Sequence, residues 1–384
     1  MNRYLFFSVL MTWSYLPAAE PKPNKETTDT PFWVKDSPDE KQEKSWSNYG
    51  TKKDIFTTPY LLLPLTQNGF ADIALIPKTQ MVAIRTTDGG ITVLTISTMN
   101  NKYRTNRHEL FESYTTNLAG GSCTNMIAFT SEEFIFGGAV RQNGLTYNYD
   151  FGKCTLDEGC HVNSIAFDPT DKIIAGGCDD GSIRTWDMDR GKAVIRGHPS
   201  IARIIALAFL DENTLCYSSS QLGLHMYDLR SSTKSVVGLK PFVVQAIAAS
   251  ANHGFILGGG RDGTVYLYDV RKDKVLYEAF PTKTKSPITS LAVYYPFKEF
   301  LVGQEDGSCL LRRIDTPRLA YGPKSAHTSR VSAIATKNPT TDDDYFAASV
   351  GEDNAINFYG PKPMYFPETL KKESDKKYDE GTNK

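Results

Sequence analysis

Short runs in which apolar and polar residues alternate recur along most of the chain, and residues typical of turns separate them. Alternation with a period of two predicts β-strands with one buried face. Four such runs end in or near an aromatic residue, at 182–187, 224–228, 264–269 and 355–359. A second set of short apolar runs lies roughly 20 residues before the turns, at 162–169, 204–209, 244–250, 288–293 and 331–336. The pattern predicts an all-β protein with many short strands.

A turn written Asp-Gly, or a close variant, recurs between these runs. Glycine and asparagine readily adopt the positive φ that tight hairpins require, and most other residues resist it. Each turn follows a run rich in small residues and precedes an alternating run. The turns are Asp88-Gly89-Gly90, Asn143-Gly144, Asp180-Gly181, Leu222-Gly223, Asp262-Gly263, Asp306-Gly307 and Asp353-Asn354.

Seven turns in register, at a spacing of roughly 40–45 residues, indicate a repeat architecture. The most complete copy holds Asp180-Gly181, then Trp186-Asp187, then Gly197-His198. This copy and its register resemble the WD-repeat family of β-propellers. The resemblance covers residues 58–360, about four-fifths of the chain.

The resemblance implies a seven-bladed β-propeller whose blades are four-stranded antiparallel sheets. Tyr227 and Tyr268 replace the tryptophan in two of the repeats. His161 and His327 are expected at the same place before a first strand as His198, packed or hydrogen-bonded within their blades. Structural positions of the repeat are implied for Asp180, Trp186, Asp187, His198, Asp262 and Asp269.

The order of the strands also predicts how the propeller closes. The seventh unit supplies three strands, and the run 59–65 precedes the first unit as an unpaired apolar strand. Pairing the two would complete the last blade and remove an exposed edge. The segment 20–57 carries seven basic and eight acidic residues. We expect a flexible linker there and a disordered charged tail at 361–384, because neither segment can bury enough apolar surface.

Residues 1–19 have the pattern of a signal peptide. Arg3 precedes the uncharged stretch 4–16, and Ala18-Ala19 leads into polar sequence. We expect export to the exterior or to a bacterial envelope, with no membrane span after cleavage. The alternative is the N-terminal helix of a cytoplasmic protein.

Cysteines are too few for a disulfide-dense scaffold, since the chain has six in 384 residues. In an exported chain, Cys154 and Cys160 would be the locally plausible disulfide pair. The other four lie on or beside β-runs, and we expect them to be buried thiols: Cys123, Cys178, Cys216 and Cys309.

The net charge and the sequence motifs limit the kinds of ligand that we expect the protein to bind. The 43 basic and 44 acidic residues give a net charge of −1, so we expect no nucleic-acid partner. The sequence has no Walker loop, His-Glu-x-x-His or Cys-x-x-Cys motif, so we expect no cofactor and no metal. Gly258-x-Gly260-x-x-Gly263 matches the dinucleotide fingerprint literally, but it lies in a predicted strand–turn–strand and opens no helix.

The favoured function is a monomeric, non-catalytic scaffold that binds protein partners through the faces and rim of the propeller. Arg203, Phe242 and Arg330 fall in the loops that lead into first strands, and arginine and aromatic side chains dominate interfaces.

Two alternatives remain open. Tyr-Asp-x-Arg boxes at 227–230 and 268–271 are similar to those of the substrate receptors of cullin-RING ubiquitin ligases. In that case Arg230 and Arg271 would dock an adaptor. A propeller enzyme with a channel-bound cofactor or metal would need converging carboxylates or histidines, which the repeat pattern does not show.

Overall fold

The computed structural model consists of β-strands and their connections, with no helix among the described residues. It describes residues 69–359 except for 78, 80, 100–101, 112–114, 122, 133, 144–145, 157–160, 188–191, 221–222, 237–242, 251–253, 280–284, 295–298, 315–319, 322–325 and 338–346. The all-β prediction is confirmed. The predictions for the signal peptide, the linker, the strand at 59–65, the C-terminal tail and the Cys154–Cys160 pair concern parts outside the described residues.

The first three sheets each contain four antiparallel strands in chain order. Sheet 1 consists of β1 (Phe70–Leu75), β2 (Met81–Thr86), β3 (Ile91–Met99) and β4 (Lys102–Phe111). Sheet 2 consists of β5 (Asn117–Gly120), β6 (Met126–Thr130), β7 (Phe134–Asn143) and β8 (Thr146–Thr155). Sheet 3 consists of β9 (Val162–Phe167), β10 (Ile173–Cys178), β11 (Ile183–Asp187) and β12 (Lys192–Gly197).

The remaining described strands repeat the same order. Sheet 4 consists of β13 (Ile204–Phe209), β14 (Thr214–Ser219), β15 (Leu224–Asp228) and β16 (Thr233–Val236). Sheet 5 consists of β17 (Val244–Ser250), β18 (Phe255–Gly260), β19 (Val265–Asp269) and β20 (Lys274–Ala279). Sheet 6 consists of β21 (Ile288–Tyr294), β22 (Glu299–Gln304), β23 (Cys309–Arg313) and β24 (Ala320–Tyr321). Sheet 7 has three described strands, β25 (Val331–Thr336), β26 (Ala347–Gly351) and β27 (Ile356–Tyr359).

The sheets are arranged around a common axis. The first strands of successive sheets contact one another, from β1 with β5 to β21 with β25, and β25 contacts β1. Buried apolar side chains fill the space between neighbouring sheets, as where Ala175 and Ile183 of sheet 3 pack with Ile204, Leu207 and Tyr217 of sheet 4. Because one sheet cannot bury both of its faces alone, each depends on its neighbours. The arrangement is that of a β-propeller.

Contacts between sheets 7 and 1 join the last described sheet to the first. Val350 and Phe358 belong to the same buried cluster as Phe70 and Val82. The Lys337 ammonium also donates a hydrogen bond of 2.9 Å to the carbonyl of Thr79.

A β-bulge recurs near the start of the first strand in six of the described sheets. At this point two residues of the first strand face one residue of the second. A bulge interrupts the alternation of side chains between the two faces of a strand and changes the direction of one side chain. It therefore affects which side chains lie at this end of the sheet. The extra residues are Ala71, Asn163, Ile205, Gln245, Thr289 and Ser332.

The predicted turns join the second and third strands in every sheet except sheet 2. There, Asn143 ends the third strand β7, so the Asn143-Gly144 step connects β7 with β8. The turn between β6 and β7 lies at 131–133 and contains no glycine. The Asn-Gly signal therefore marks a tight turn but does not show which pair of strands the turn joins.

Candidate functional site

One end of the sheets brings together the segments that carry the candidate residues. In an antiparallel sheet, the start of the first strand and the turn between the second and third strands lie at the same end. We call this end the upper face. The connections between first and second strands, and between third and fourth strands, form the lower face.

Aspartate side chains stabilise the turns of the upper face by accepting hydrogen bonds from backbone amides. Oδ1 of Asp180 accepts a hydrogen bond of 2.8 Å from the Ser182 amide, and Asp262 accepts one of 3.0 Å from the Thr264 amide. Partial burial raises the pKa of Asp180, but the hydrogen bonds from Ser182 and the Arg184 guanidinium outweigh it and hold that pKa below its usual range. Both carboxylates thus accept hydrogen bonds within the turns that hold them.

His327 is buried within sheet 7 and is hydrogen-bonded through both ring nitrogens. Nδ1 lies 3.0 Å from Oδ1 of Asp353, and Nε2 lies 2.8 Å from Oγ of Ser349. The Ser349 hydroxyl lies 2.9 Å from the hydroxyl of Tyr359. These hydrogen bonds connect the loop before β25 with the turn at Asp353 and with the second and third strands of the sheet, β26 and β27, so His327 is structural.

His198 and His161 do not share that position, and this part of the prediction was wrong. His198 is exposed, and Ser200 occupies the place equivalent to His327, since their amides bond to Gly181 and Gly307, the glycines of equivalent turns. His161 is also exposed and lies directly before β9. The Gly-His pair thus predicts where the loop lies, but it does not predict whether the imidazole is buried.

Trp186 is fully buried, and its ring lies against the backbone of Gly176. Asp187 ends β11 and is partly exposed. Asp269 ends β19 and is fully buried; its Oδ1 accepts hydrogen bonds from the amides of Arg271 and Lys272 at 3.0 and 3.2 Å. Trp186 and Asp269 therefore belong to the core of the propeller, whereas Asp187 reaches its surface.

Two arginines singled out in the sequence lie on the upper face. Arg203 directly precedes β13, and its Nε lies 3.6 Å from Oδ1 of Asp179, with both side chains about half exposed. Arg330 directly precedes β25 and lies 3.8 Å from Glu352. Ion pairs with this exposure contribute only about 0–1 kcal/mol to folding stability. A partner can therefore bind either guanidinium with little loss of stability from the broken ion pair. Phe242 lies outside the described residues.

Ile201 stands beside Arg203 in the same loop and is 91% exposed. Among the residues whose burial the structure describes, no other large apolar side chain is exposed. An apolar side chain next to a half-exposed arginine is the combination that commonly anchors an interface.

A pocket of about 210 Å³ opens between sheets 2 and 3. The bulged residue Asn163 stands in its wall and donates a hydrogen bond of 2.6 Å to Asp179, the partner of Arg203. The pocket therefore adjoins the Arg203 pair. Its lining residues are Thr116, Asn117, Ser131, Glu132, His161, Val162 and Asn163.

The Tyr-Asp-x-Arg boxes lie on the lower face, where the third strands end. Arg230 pairs with Asp228 of its own box at 3.2 Å, and this contact lowers the pKa of Asp228 to about 2. The Arg271 side chain lies against the backbone of Gly254 in the same sheet. Both arginines thus make contacts inside the sheets to which they belong.

The described cysteines differ in burial. Cys178, Cys216 and Cys309 are buried as expected, and burial raises the pKa of the Cys309 thiol to about 11. Cys123 is exposed, contrary to the prediction, because it lies in the loop between β5 and β6 rather than on a strand. In the described part of the chain, no three His, Cys, Asp or Glu side chains are grouped to hold a metal ion. Nor does that part contain a helix long and apolar enough to cross a membrane.

Comparison with known proteins agrees with this architecture. A family model described as "WD domain, G-beta repeat" matches residues 152–187 and 235–269. Each match begins in the outer strand of one sheet and ends with the third strand of the next.

Three relatives show the same kind of similarity over part of their length. Ribosome biogenesis protein YTM1 of Scheffersomyces stipitis is 28% identical over 124 residues, which is 30% of this chain and 27% of the relative. The WD repeat-containing protein 26 homolog of Drosophila melanogaster is 28% identical over 170 residues, 42% of this chain and 26% of the relative. Transducin beta-like protein 3 of Bos taurus is 31% identical over 115 residues, 29% of this chain and 14% of the relative. The chain thus spans about a quarter or less of the length of these relatives.

The sheets define the class of protein as a β-propeller. Within it, residues 152–187 and 235–269 match the WD-repeat family model, and the three relatives are each similar to part of the chain.

Proposed function

We propose that this protein is a non-catalytic scaffold that binds a protein partner through the upper face of its propeller. The observation that carries the proposal is the loop into β13, where the 91%-exposed Ile201 stands beside the half-exposed Arg203. A rigid frame supports this loop, because Ser200 bonds to the turn of sheet 3 and β13 packs in the core between sheets 3 and 4. WD-repeat relatives are consistent with a role in binding other proteins.

Site-directed photo-crosslinking tests which face binds. A photoreactive amino acid replaces Ile201 on the upper face or, as the control, Ser231 in an exposed turn of the lower face. The full chain is then irradiated in an extract of its source cells. We expect a protein adduct from position 201 that is absent from position 231. Adducts from position 231 alone would contradict the proposal and direct attention to the lower face, where the ligase-type boxes lie.

Arginine variants measure the contribution of the upper face once that partner is purified. We expect Arg203→Ala to weaken binding about tenfold, because an interface arginine commonly contributes more than about 1 kcal/mol. Arg330→Ala extends the test along the same face, and Phe242→Ala tests the loop that the sequence predicts to lead into a first strand. Arg230→Ala is the matched control, since it also removes an exposed arginine paired with an aspartate, but on the lower face. Equal affinities for Arg203→Ala and wild type would contradict a role for this loop.

A further inference from the structure

The pocket between sheets 2 and 3 is too small for a cofactor and large enough for one side chain. Its volume is about 210 Å³, whereas small-molecule sites usually measure about 300–1,000 Å³. At about 30 Å³ per molecule, the space equals that of about seven waters. An extended side chain of a bound protein fits such a space.

Hydrogen bonds within the wall use up most of its donors. Nδ2 of Asn117 donates to the carbonyl of Val162 and to Oγ1 of Thr130, each at 2.8 Å. Nδ2 of Asn163 donates to Asp179 at 2.6 Å.

Besides the exposed imidazole of His161, which can both donate and accept, the groups that remain without a partner among the described residues are acceptors. They are the side-chain carbonyl oxygens of Asn117 and Asn163 and the carboxylate of the exposed Glu132. A ligand that donates hydrogen bonds and carries positive charge complements these groups, because a carboxylate accepts charge-assisted hydrogen bonds.

The lining residues have the same sign of charge. Among the seven, Glu132 is the acidic residue, and none is a lysine or an arginine.

We propose that this pocket receives a lysine or arginine side chain of the protein partner. The inference rests on the proposed function and names the chemistry of one contact on the upper face. The pocket adjoins the Asp179–Arg203 pair through Asn163, so a partner seated on Ile201 and Arg203 can reach it with a neighbouring basic residue.

Fluorescence anisotropy with labelled peptides tests the proposal on the full chain. The probes are glycine-spaced lysine and arginine peptides and a glutamate peptide of the same length. We expect the two basic peptides to bind and the glutamate peptide not to bind. Glu132→Gln should weaken binding several-fold, and Glu132→Lys should weaken it at least about tenfold, because its own ammonium would stand beside the acceptors.

Glu305 provides the matched control. It is an exposed glutamate in the turn between β22 and β23, the turn of sheet 6 that corresponds to the one holding Glu132 in sheet 2. Glu305→Gln and Glu305→Lys change the net charge equally but leave the pocket intact, so we expect affinities within about twofold of wild type. Thermal unfolding of every variant checks that the fold is retained.

Two results would overturn the proposal. One is equal binding of the lysine and glutamate peptides; the other is equal loss of affinity in the Glu132 and Glu305 variants, which would reduce the effect to general surface charge. The crosslinking test is independent of these outcomes. A partner captured at position 201 together with failed peptide binding would preserve the scaffold function and reject the basic contact.

Discussion

The imidazole of His225 lies in the core of sheet 4, stacked on the ring of Tyr217 with 5.1 Å between ring centroids. Its Nδ1 has no hydrogen-bond partner among the described residues. Burial, together with the positive charge of Lys234, lowers the pKa of His225 from 6.5 to about 4. A histidine in this environment remains neutral in the folded protein under conditions that protonate it in the unfolded chain.

This difference predicts a loss of stability in acid. The contribution of His225 is fully present above the unfolded pKa of 6.5 and falls as the pH drops towards about 4, because only the unfolded chain takes up the proton. We expect His225→Phe, which retains an aromatic ring against Tyr217, to lose roughly 1–3 kcal/mol less than wild type over this interval. Denaturant unfolding at several pH values measures the effect. His198→Phe, at an exposed position, should follow the wild-type pH dependence; if both variants do so, His225 is not the responsible group.

A regular backbone repeat fixes the environment of a side chain more firmly than a connection between strands does. Trp186 is buried and Asp180 accepts a hydrogen bond in a tight turn, because the register of a strand or of a turn sets each position. His198 and Cys123 lie in connections between strands, where a shift of two residues moves a side chain from the interior to the solvent. Sequence periodicity carries no information about that shift.

At the scale of the element, the turn of sheet 3 depends on a close approach between backbones. Gly181 has a φ of +78°, and a Cβ added there would lie 2.1 Å from the carbonyl oxygen of Ser200. Gly223 occupies the equivalent turn of sheet 4 with a φ of +112°, but a Cβ there would meet no atom closer than 3.7 Å. The two positions share backbone strain and differ in the space available.

We therefore expect Gly181→Ala to destabilise the protein more than Gly223→Ala. Strain alone costs an alanine in the left-handed region about 1–2 kcal/mol, and the clash with Ser200 adds a further cost at Gly181. Thermal or denaturant unfolding of both variants measures the difference. Equal losses of stability in the two variants would show that the loop before β13 moves aside freely. Ile201 and Arg203 would then not be held on a rigid support.

Most strands could be predicted from alternation, but the pocket could not. Glu132 lies in a turn of sheet 2 that contains no glycine, so the recurring glycine turns do not mark it. The remaining wall comes from segments about 45 residues apart in the chain, joined by the Asn117–Val162 hydrogen bond. The orientation of Asn163 could not be predicted either, because this residue lies in a β-bulge. A bulge interrupts the two-residue alternation from which the face of a strand residue is predicted.

At the scale of the whole molecule, closure of the ring remains the strongest prediction from sequence. Sheet 7 has three described strands, and β27 is the outermost of them. We expect deletion of 59–65 to lower the melting temperature and promote aggregation far more than deletion of 20–57, because the shorter segment is predicted to cover an open strand edge. Differential scanning calorimetry and light scattering of both truncations test this. Equal melting temperatures would show that 59–65 does not close the last blade.

The hydrogen bond between Lys337 and Thr79 also constrains how the protein is made. These residues are 258 positions apart, and ribosomes add about 5–20 residues per second. Sheet 1 is therefore synthesised roughly 10–50 s before sheet 7, which covers one of its two faces. Throughout that interval Phe70 and Val82 await Val350 and Phe358, and their apolar surface is accessible to chaperones and to other nascent chains. The nascent chain is therefore most exposed to misassembly just before its last sheet leaves the ribosome.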